Sequence, residues 1–73
     1  WRVGRSSECQ LRIQSPRVSR VHAAILWQEG KKPVVRDLQS QNGVHVNGRQ
    51  VREHALQDGD ELTIGPFTAT YRM

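Results

Sequence analysis

The stretch Val44-His45-Val46-Asn47-Gly48-Arg49-Gln50-Val51 decides the fold class of this chain. Two short runs with β-branched residues flank the Asn47-Gly48 dipeptide. This dipeptide is typical of tight hairpin turns, because both central residues of such turns need positive φ. A β-hairpin is therefore predicted here.

The pattern of this hairpin continues outward in both directions along the chain. Short runs of β-branched and aromatic residues alternate with turn residues, and no stretch has the period of a long amphipathic helix. Polar turns are expected at residues 28–33 and 58–60. The chain is therefore predicted to be all-β, with further strands near residues 10–13, 22–27, 33–38, 43–46, 61–64 and 67–71.

Length and composition indicate one globular unit. The 73 residues, 36% hydrophobic and 25% charged, fit a single domain over residues 1–73, and no apolar run approaches the ~20 residues that span a bilayer. The chain starts at Trp1 without a signal or acylation pattern, so we expect an excerpt of a longer protein. The single Cys9 cannot form an internal disulfide. It is expected to be a small buried residue, and its presence favours an intracellular setting, cytoplasmic or nuclear.

The charge distribution points to an anionic partner. Eleven Lys and Arg against seven Asp and Glu give a formal net charge of +4, which favours nucleic acid, an acidic surface or a phosphorylated protein. Acidic residues gather at 58–61, whereas arginines crowd the first third of the chain. We therefore expect binding at the end that carries Arg2, Arg5, Arg12, Arg17 and Arg20.

Three polar clusters lie in or beside the predicted loops: Gly4-Arg5, Ser19-Arg20-Val21-His22 and Ser40-Gln41-Asn42-Gly43. They are followed in order by Asn47-Gly48, Gly59-Asp60 and Ile64-Gly65. This ordered set, across residues 4–65, resembles the forkhead-associated (FHA) domain. The resemblance implies an eleven-stranded β-sandwich of two mostly antiparallel sheets, whose loops at one end bind phosphothreonine peptides.

The resemblance also implies a short N-terminus. Only three residues precede Gly4, whereas the family carries a further strand or two before that point. We therefore expect a domain core without the N-terminal strand or strands. These are either cut away or supplied by another chain, or the protein departs from the usual fold at its N-terminal edge. A missing strand would leave a sheet edge prone to association.

The matching positions carry specific expected roles. Arg5 would offer its guanidinium to the phosphate, and Arg20 is a candidate second cation. Ser19 would donate its hydroxyl and its backbone N–H to a phosphate oxygen. Asn42 would hold the peptide backbone through its amide, which donates and accepts. Gln41 departs from the Thr or Ser of several family members, so its phosphate contact is expected to be weaker.

Four further residues are expected to support these loops from within. Gly4 would permit a close backbone approach, and Gly43 completes the Ser-x-Asn-Gly motif. His22 and Ser40 would hold the loop architecture without touching ligand.

Other chemistries fit the sequence less well. Ser19 with His22 lacks an orienting acid and oxyanion donors, so we do not expect an enzyme. The histidines and Cys9 lack metal-ligand spacing, so no metal and no cofactor are expected. Asp58 and Asp60 are interpreted as turn formers. The aromatic residues Trp1, Trp27, Phe67 and Tyr71 are expected to fill the core or cross-strand pairs rather than to stack on bases.

The leading hypothesis is a module that binds threonine-phosphorylated proteins, with no specific nucleic acid and no membrane as partner. A second hypothesis is a phosphate-independent assembly domain of the same fold, pairing through the N-terminal edge. A third is non-specific nucleic-acid binding by the basic first third, which would be steeply salt-dependent. The oligomeric state stays open.

Overall fold

The computed structural model, which describes residues 1–72, is a sandwich of two β-sheets. Its strands are β1 (Arg2–Gly4), β2 (Leu11–Arg12), β3 (Ala23–Leu26), β4 (Val34–Asp37), β5 (Val44–Val46), β6 (Arg49–Val51), β7 (Glu53–Ala55), β8 (Glu61–Ile64) and β9 (Phe67–Thr70). The first sheet has the order β2-β1-β3-β4-β7 and the second β6-β5-β8-β9. β1 and β2 pair in parallel, and the other pairs are antiparallel. The predicted all-β sandwich of two mostly antiparallel sheets is confirmed.

The hairpin that the sequence indicates is present. Asn47 and Gly48 have φ of 53° and 82°, and β5 pairs with β6 so that Val46 lies opposite Arg49. The strand at 61–64 has the predicted bounds, and the others are shorter than predicted by one or two residues. Two strands, β1 and β7, were not predicted, because three-residue runs with one or two apolar positions carry little periodicity.

The core between the sheets is built mostly from β-branched side chains, with two leucines and one alanine. Inward-facing residues alternate with outward-facing ones along each strand, as in β8, where Leu62 and Ile64 are buried and Glu61 is exposed. Cys9 is also buried, as expected. The central cluster consists of Val3, Val18, Ala23, Ile25, Val35, Val44, Val46, Leu56, Leu62 and Ile64.

Strand directions place the donor-rich loops at one end of the sandwich. The end of β1 lies beside the start of the antiparallel strand β3, and β4 ends at this same end of the first sheet. The chain then crosses to the second sheet through residues 38–43 and enters β5. We call this end, with residues 4–6, 15–22 and 38–43, the rim. The opposite pole carries the turns at 47–48 and 56–60.

The expected free N-terminal edge does not lie at β1. This strand pairs with β2 on one side and with β3 on the other, so it is internal to its sheet. Among residues 1–72 the outermost strands are β2 and β7 in one sheet and β6 and β9 in the other. The described residues form nine strands rather than the eleven that the resemblance implies.

Three of the aromatic residues do not fill the core, although Phe67 lies opposite Ile64 in the β8–β9 pair, a cross-strand position that was also expected. Trp1 is 60% exposed, Trp27 57% and Phe67 43%. Trp1 precedes β1 and Trp27 follows β3, so neither lies within a strand. Tyr71 is half-buried and packs against the core.

Within residues 1–72 no helix has the length and apolar character needed to cross a bilayer.

Candidate phosphopeptide-binding rim

Backbone hydrogen bonds bring the first two polar clusters side by side at the rim. The amide of Arg5 donates to the carbonyl oxygen of Ser19 at 3.0 Å, and the amide of Ser6 donates to that of Arg20 at 3.0 Å. A Cβ on Gly4 would collide with the Arg20 carbonyl oxygen and lie 2.9 Å from its carbon. Glycine is therefore needed at position 4 because the two loop backbones touch there.

Buried Cys9 adds a further tether to the same carbonyl. Its Sγ donates to the Arg20 oxygen at 3.4 Å, a weak hydrogen bond. The Arg20 carbonyl therefore accepts from the backbone of Ser6 and from Cys9, and the segment that carries Ser19 is fixed from behind.

The Ser19 side chain connects the second and third clusters. Its Oγ accepts the backbone N–H of Gln41 at 3.1 Å. Because this bond uses a lone pair of the oxygen, the hydroxyl proton is left to donate to a ligand. The Ser19 backbone N–H was also expected to contact phosphate. In the structure this amide donates instead to His22 Nδ1 at 3.0 Å. In this structure only the hydroxyl is available.

His22 is fully buried and holds the two loops together. Nδ1 accepts from the Ser19 amide, so the ring proton lies on Nε2, which donates to the Gly43 carbonyl oxygen at 2.7 Å. Both ring nitrogens are used inside the fold. His22 is therefore a neutral bridge between residues 19 and 43.

Ser40 fixes the turn that presents the third cluster. Its hydroxyl donates to Asp37 Oδ1 at 2.5 Å and accepts the Gly43 amide at 2.9 Å. The Ser40 amide also donates to Asp37 Oδ1, at 3.1 Å. Gly43 has φ of 78°, in the left-handed region that favours glycine.

Asp37 is a supporting residue that the sequence reading missed. It ends β4, and its carboxylate caps the turn at Ser40. Asp side chains often accept hydrogen bonds from backbone amides a few residues further along the chain, so a local signal for this role was available.

Asn42 is tied to the loop before β3 and keeps unused hydrogen-bonding groups. Its Nδ2 donates to the Arg17 carbonyl oxygen at 2.7 Å. One amide hydrogen and the Oδ1 acceptor then have no hydrogen-bond partner within residues 1–72. This exposed amide can still donate to and accept from an extended peptide backbone.

The rim carries arginine side chains whose positive charge is not paired within residues 1–72. The guanidinium groups of Arg5, Arg17 and Arg20 have no hydrogen-bond or ion-pair partner among residues 1–72, and all three residues are exposed. Arg12 is different, since its Nε donates to the Arg5 carbonyl oxygen at 3.0 Å and braces that residue. Glu8 is the only acidic residue among the first 28.

Two other arrangements of rim residues can be checked against the described residues. Among the described residues, no group of three or more His, Cys, Asp or Glu side chains could hold a metal ion. Neither ring nitrogen of His22 faces the Ser19 hydroxyl as a base would, because Nδ1 is occupied by the Ser19 amide. The rim is an arrangement of fixed donors.

Donor-rich loops at one end of a β-sandwich define a ligand-binding module. Residues 1–65 match the FHA domain family. The chain belongs to this family of interaction modules.

Curated relatives show the same relationship along most of the chain. It is 38% identical over 71 residues to the FHA domain-containing protein FhaA of Mycobacterium tuberculosis, covering 97% of this chain and 13% of FhaA. It is 38% identical over 69 residues to the oxoglutarate dehydrogenase inhibitor of Corynebacterium efficiens, covering 94% of this chain and 48% of that protein. The chain thus spans less than half the length of these relatives.

Solved structures agree in fold. One, from a study of phosphothreonine-dependent FHA domain interactions, has a TM-score of 0.92 and 36% identity, covering 99% of this chain and 74% of the other. A second is Mycobacterium tuberculosis EmbR in complex with a low-affinity phosphopeptide. Its TM-score is 0.91 at 38% identity, with 97% of this chain and 19% of EmbR covered.

Proposed function

We propose that this chain is a phosphothreonine-binding module that recruits phosphorylated partner proteins and acts by binding rather than by catalysis. The observation that carries the proposal is the Ser19 hydroxyl, held by the Gln41 amide at 3.1 Å with its proton unused. It lies in a loop whose backbone is bonded to that of Arg5. The FHA structures described as phosphothreonine-dependent, or as complexed with a phosphopeptide, support the same function.

Each rim residue has a role in this proposal. Phosphothreonine brings about −1.5 to −2 charges at pH 7 and three strong acceptor oxygens. Arg5 provides the main cationic contact, Ser19 donates its hydroxyl, and Arg20 adds a second charge. Asn42 holds the peptide backbone, and Gln41 contributes a weaker side-chain contact.

Four residues keep these groups in position without touching the ligand. Gly4 lets the loop backbones meet, and His22 bridges residues 19 and 43. Ser40 and Gly43 fix the turn that carries Gln41 and Asn42. Ordering these loops in advance lowers the entropy lost on binding.

The energies are of the right size for a reversible switch. A hydrogen bond to a charged group contributes about 1.5–3 kcal/mol. Three or four such bonds account for much of the ~8 kcal/mol of micromolar binding. Burial of the threonine methyl adds about 0.8 kcal/mol, so we expect roughly fourfold preference over phosphoserine from this effect alone.

The cellular compartment of the module follows from this proposed function. A partner phosphorylated on threonine requires a protein kinase in the same compartment, so we place the module inside the cell. We also propose that residues 1–73 act as one domain within a longer protein, as the share of the relatives' length suggests.

The test is titration with a degenerate phosphothreonine peptide library beside its unphosphorylated twin. We expect measurable binding of the phosphorylated library only. Arg5→Ala should weaken it about 10- to 100-fold and Ser19→Ala about tenfold, since each removes a hydrogen bond to a charged group. Arg49→Ala, an exposed arginine beside the hairpin turn at the opposite pole, is the matched control and should bind normally.

Equal affinity for the two libraries would reject the proposal. Self-association or partner binding that is unaffected by Arg5→Ala would instead favour a phosphate-independent assembly domain.

A further inference from the structure

The backbone of Arg5 is hydrogen-bonded on both sides of its Cα atom. Its amide donates to the Ser19 carbonyl oxygen at 3.0 Å, and its carbonyl oxygen accepts from Arg12 Nε at 3.0 Å. The first bond restrains φ of Arg5 and the second restrains ψ, which are the two soft backbone dihedrals of a residue. Together the two bonds therefore restrain the direction in which the Arg5 side chain leaves the chain.

The pairing of β1 with β2 places Arg12 beside Arg5. The two strands run parallel, with Arg12 opposite Gly4, and the amide of Ile13 donates to the Gly4 carbonyl oxygen at 2.8 Å. These contacts use backbone atoms and do not depend on the side chain at position 12. A substitution of Arg12 therefore removes its bond to Arg5 without removing the strand pairing.

The side-chain support of Arg5 is separate from that of Ser19. Within residues 1–72, Arg12 supplies the only side-chain hydrogen bond to the Arg5 backbone. Ser19 is held instead by His22 Nδ1 and by the Gln41 amide. Loss of the Arg12 side chain should therefore act on Arg5 and leave the Ser19 hydroxyl in place.

A restrained backbone matters for a long cationic side chain. A guanidinium binds phosphate through directed, often paired, N–H bonds, and an arginine loses much rotamer freedom when it makes them. Restraint of the backbone before binding lowers this entropic cost and keeps the guanidinium on the side of the ligand.

We propose that Arg12 is a positioning residue for Arg5, whose carbonyl it holds so that the Arg5 guanidinium is directed at the phosphate. This inference rests on the proposed phosphothreonine binding. Arg12 acts through its hydrogen bond rather than through its charge. A neutral donor at the same place along the side chain can therefore replace it.

The test compares glutamine and methionine at position 12, with one phosphothreonine peptide from the library. Glutamine has Nε2 as many bonds from Cα as arginine has Nε, but it is neutral, whereas methionine has a similar length and no N–H donor. We expect Arg12→Met to weaken binding about fivefold in calorimetry, the size of one net hydrogen bond, and Arg12→Gln to stay within about twofold of wild type. Arg2→Met, at an exposed arginine of β1, is the control and should bind normally.

Double variants separate positioning from a purely structural role. In an Arg5→Ala background, Arg12→Met should change the affinity less than about twofold, because no guanidinium remains to be positioned. In a Ser19→Ala background it should keep its effect of about fivefold. A residue that only holds the loops together would weaken binding equally in the two backgrounds. NMR titration measures these weaker affinities.

The outcomes distinguish this inference from the proposed function. Wild-type affinity of Arg12→Met, equal losses in Arg12→Gln and Arg12→Met, or equal effects in the two backgrounds would each overturn the positioning role alone. Failure of every phosphopeptide to bind the wild-type protein would overturn both.

Discussion

The rim and the opposite pole each contain a histidine, an asparagine and a carboxylate in a hydrogen-bonded network. At the pole, the Asp60 carboxylate accepts from the Gln57 amide at 2.8 Å, from Asn47 Nδ2 at 3.0 Å and from His54 Nε2 at 3.0 Å. Asn47 Oδ1 in turn accepts the Glu61 amide at 2.9 Å. The Asp60 carboxylate and Asn47 Oδ1 are therefore used within the fold.

At the rim, several hydrogen-bond donors remain unused. The Ser19 hydroxyl proton, an Asn42 amide hydrogen and the Arg5 guanidinium have no partner among residues 1–72. The comparison teaches that a histidine, an asparagine and a carboxylate in a hydrogen-bonded cluster do not by themselves indicate a binding site. The count of unspent donors and uncompensated charges does.

Removal of His22 should give the largest effect and should damage both stability and binding. His22→Ala leaves the Ser19 amide and the Gly43 carbonyl without partners inside the protein. Each such loss costs about 1–3 kcal/mol, and a cavity adds to it. We expect the free energy of unfolding to fall by about 3 kcal/mol in urea denaturation.

His54→Ala is the matched variant at the pole. His54 is half-buried and makes one bond, to Asp60, so we expect about 1 kcal/mol of destabilisation and unchanged phosphopeptide affinity. Equal effects of the two histidine variants on affinity would remove the distinction between the two networks.

Ser40→Ala should have a larger effect on phosphopeptide binding at the rim than on the stability of the fold. The variant loses the bond to Asp37 and the one from the Gly43 amide, so the turn that carries Asn42 is less ordered before binding. We expect about 1 kcal/mol of lost stability and about tenfold weaker phosphopeptide binding by calorimetry. Unchanged affinity would show that the turn does not need this hydroxyl.

Lowering the pH should reduce the stability contributed by the pole and the phosphopeptide affinity of the rim over different pH ranges. The Gln57 amide first, then Asn47 and His54, hold the pKa of Asp60 below its ordinary value of 3.8. Its contribution to stability is therefore complete above pH 3.8 and is lost as the pH falls through the lower folded value. Phosphopeptide binding should weaken earlier, below about pH 6, as the phosphate takes up a proton.

The measurement is thermal unfolding and peptide affinity across the same pH series. Asp60→Asn should flatten the acid limb of the stability curve and leave the pH dependence of binding unchanged. An acid limb that persists in Asp60→Asn would show that other carboxylates produce it.

Gln41→Thr should give the smallest effect. The Gln41 amide already binds Ser19 Oγ, whereas its long exposed side chain loses rotamer freedom on contact with phosphate. A threonine hydroxyl loses less, so we expect about twofold to threefold tighter binding by fluorescence anisotropy. Weaker binding would show that the Gln41 amide makes a better phosphate contact than proposed.

Sequence patterns predicted the local features of this chain well. The Asn47-Gly48 turn is a local event, because positive φ at two adjacent residues is a property of those residue types. The alternation in residues 61–64 likewise indicates which side chains face the core. The order of the Gly-Arg, Ser-x-x-His and Ser-x-Asn-Gly clusters predicted the family and the residues of the rim.

Other features depend on contacts that no local pattern contains. β1 and β7 are too short for a period, and they form because partners on the first sheet pair with them. The exposure of Trp1 and Trp27 is a tertiary property, which their residue type does not indicate. The use of the Ser19 amide by His22 depends on a buried ring whose other nitrogen binds Gly43.

By itself, the sequence determined the all-β class and the hairpin, because turn preference and hydrophobic alternation act over a few neighbouring residues. The residues proposed for the binding site came from the resemblance to the FHA family. Tertiary structure alone decided which donors remain for a ligand. Ser19 meets Gln41 across 22 residues and Asn42 meets Arg17 across 25. Such distant pairings exist only when the two sheets pack, because burial of the shared core fixes the positions of the loops at its end.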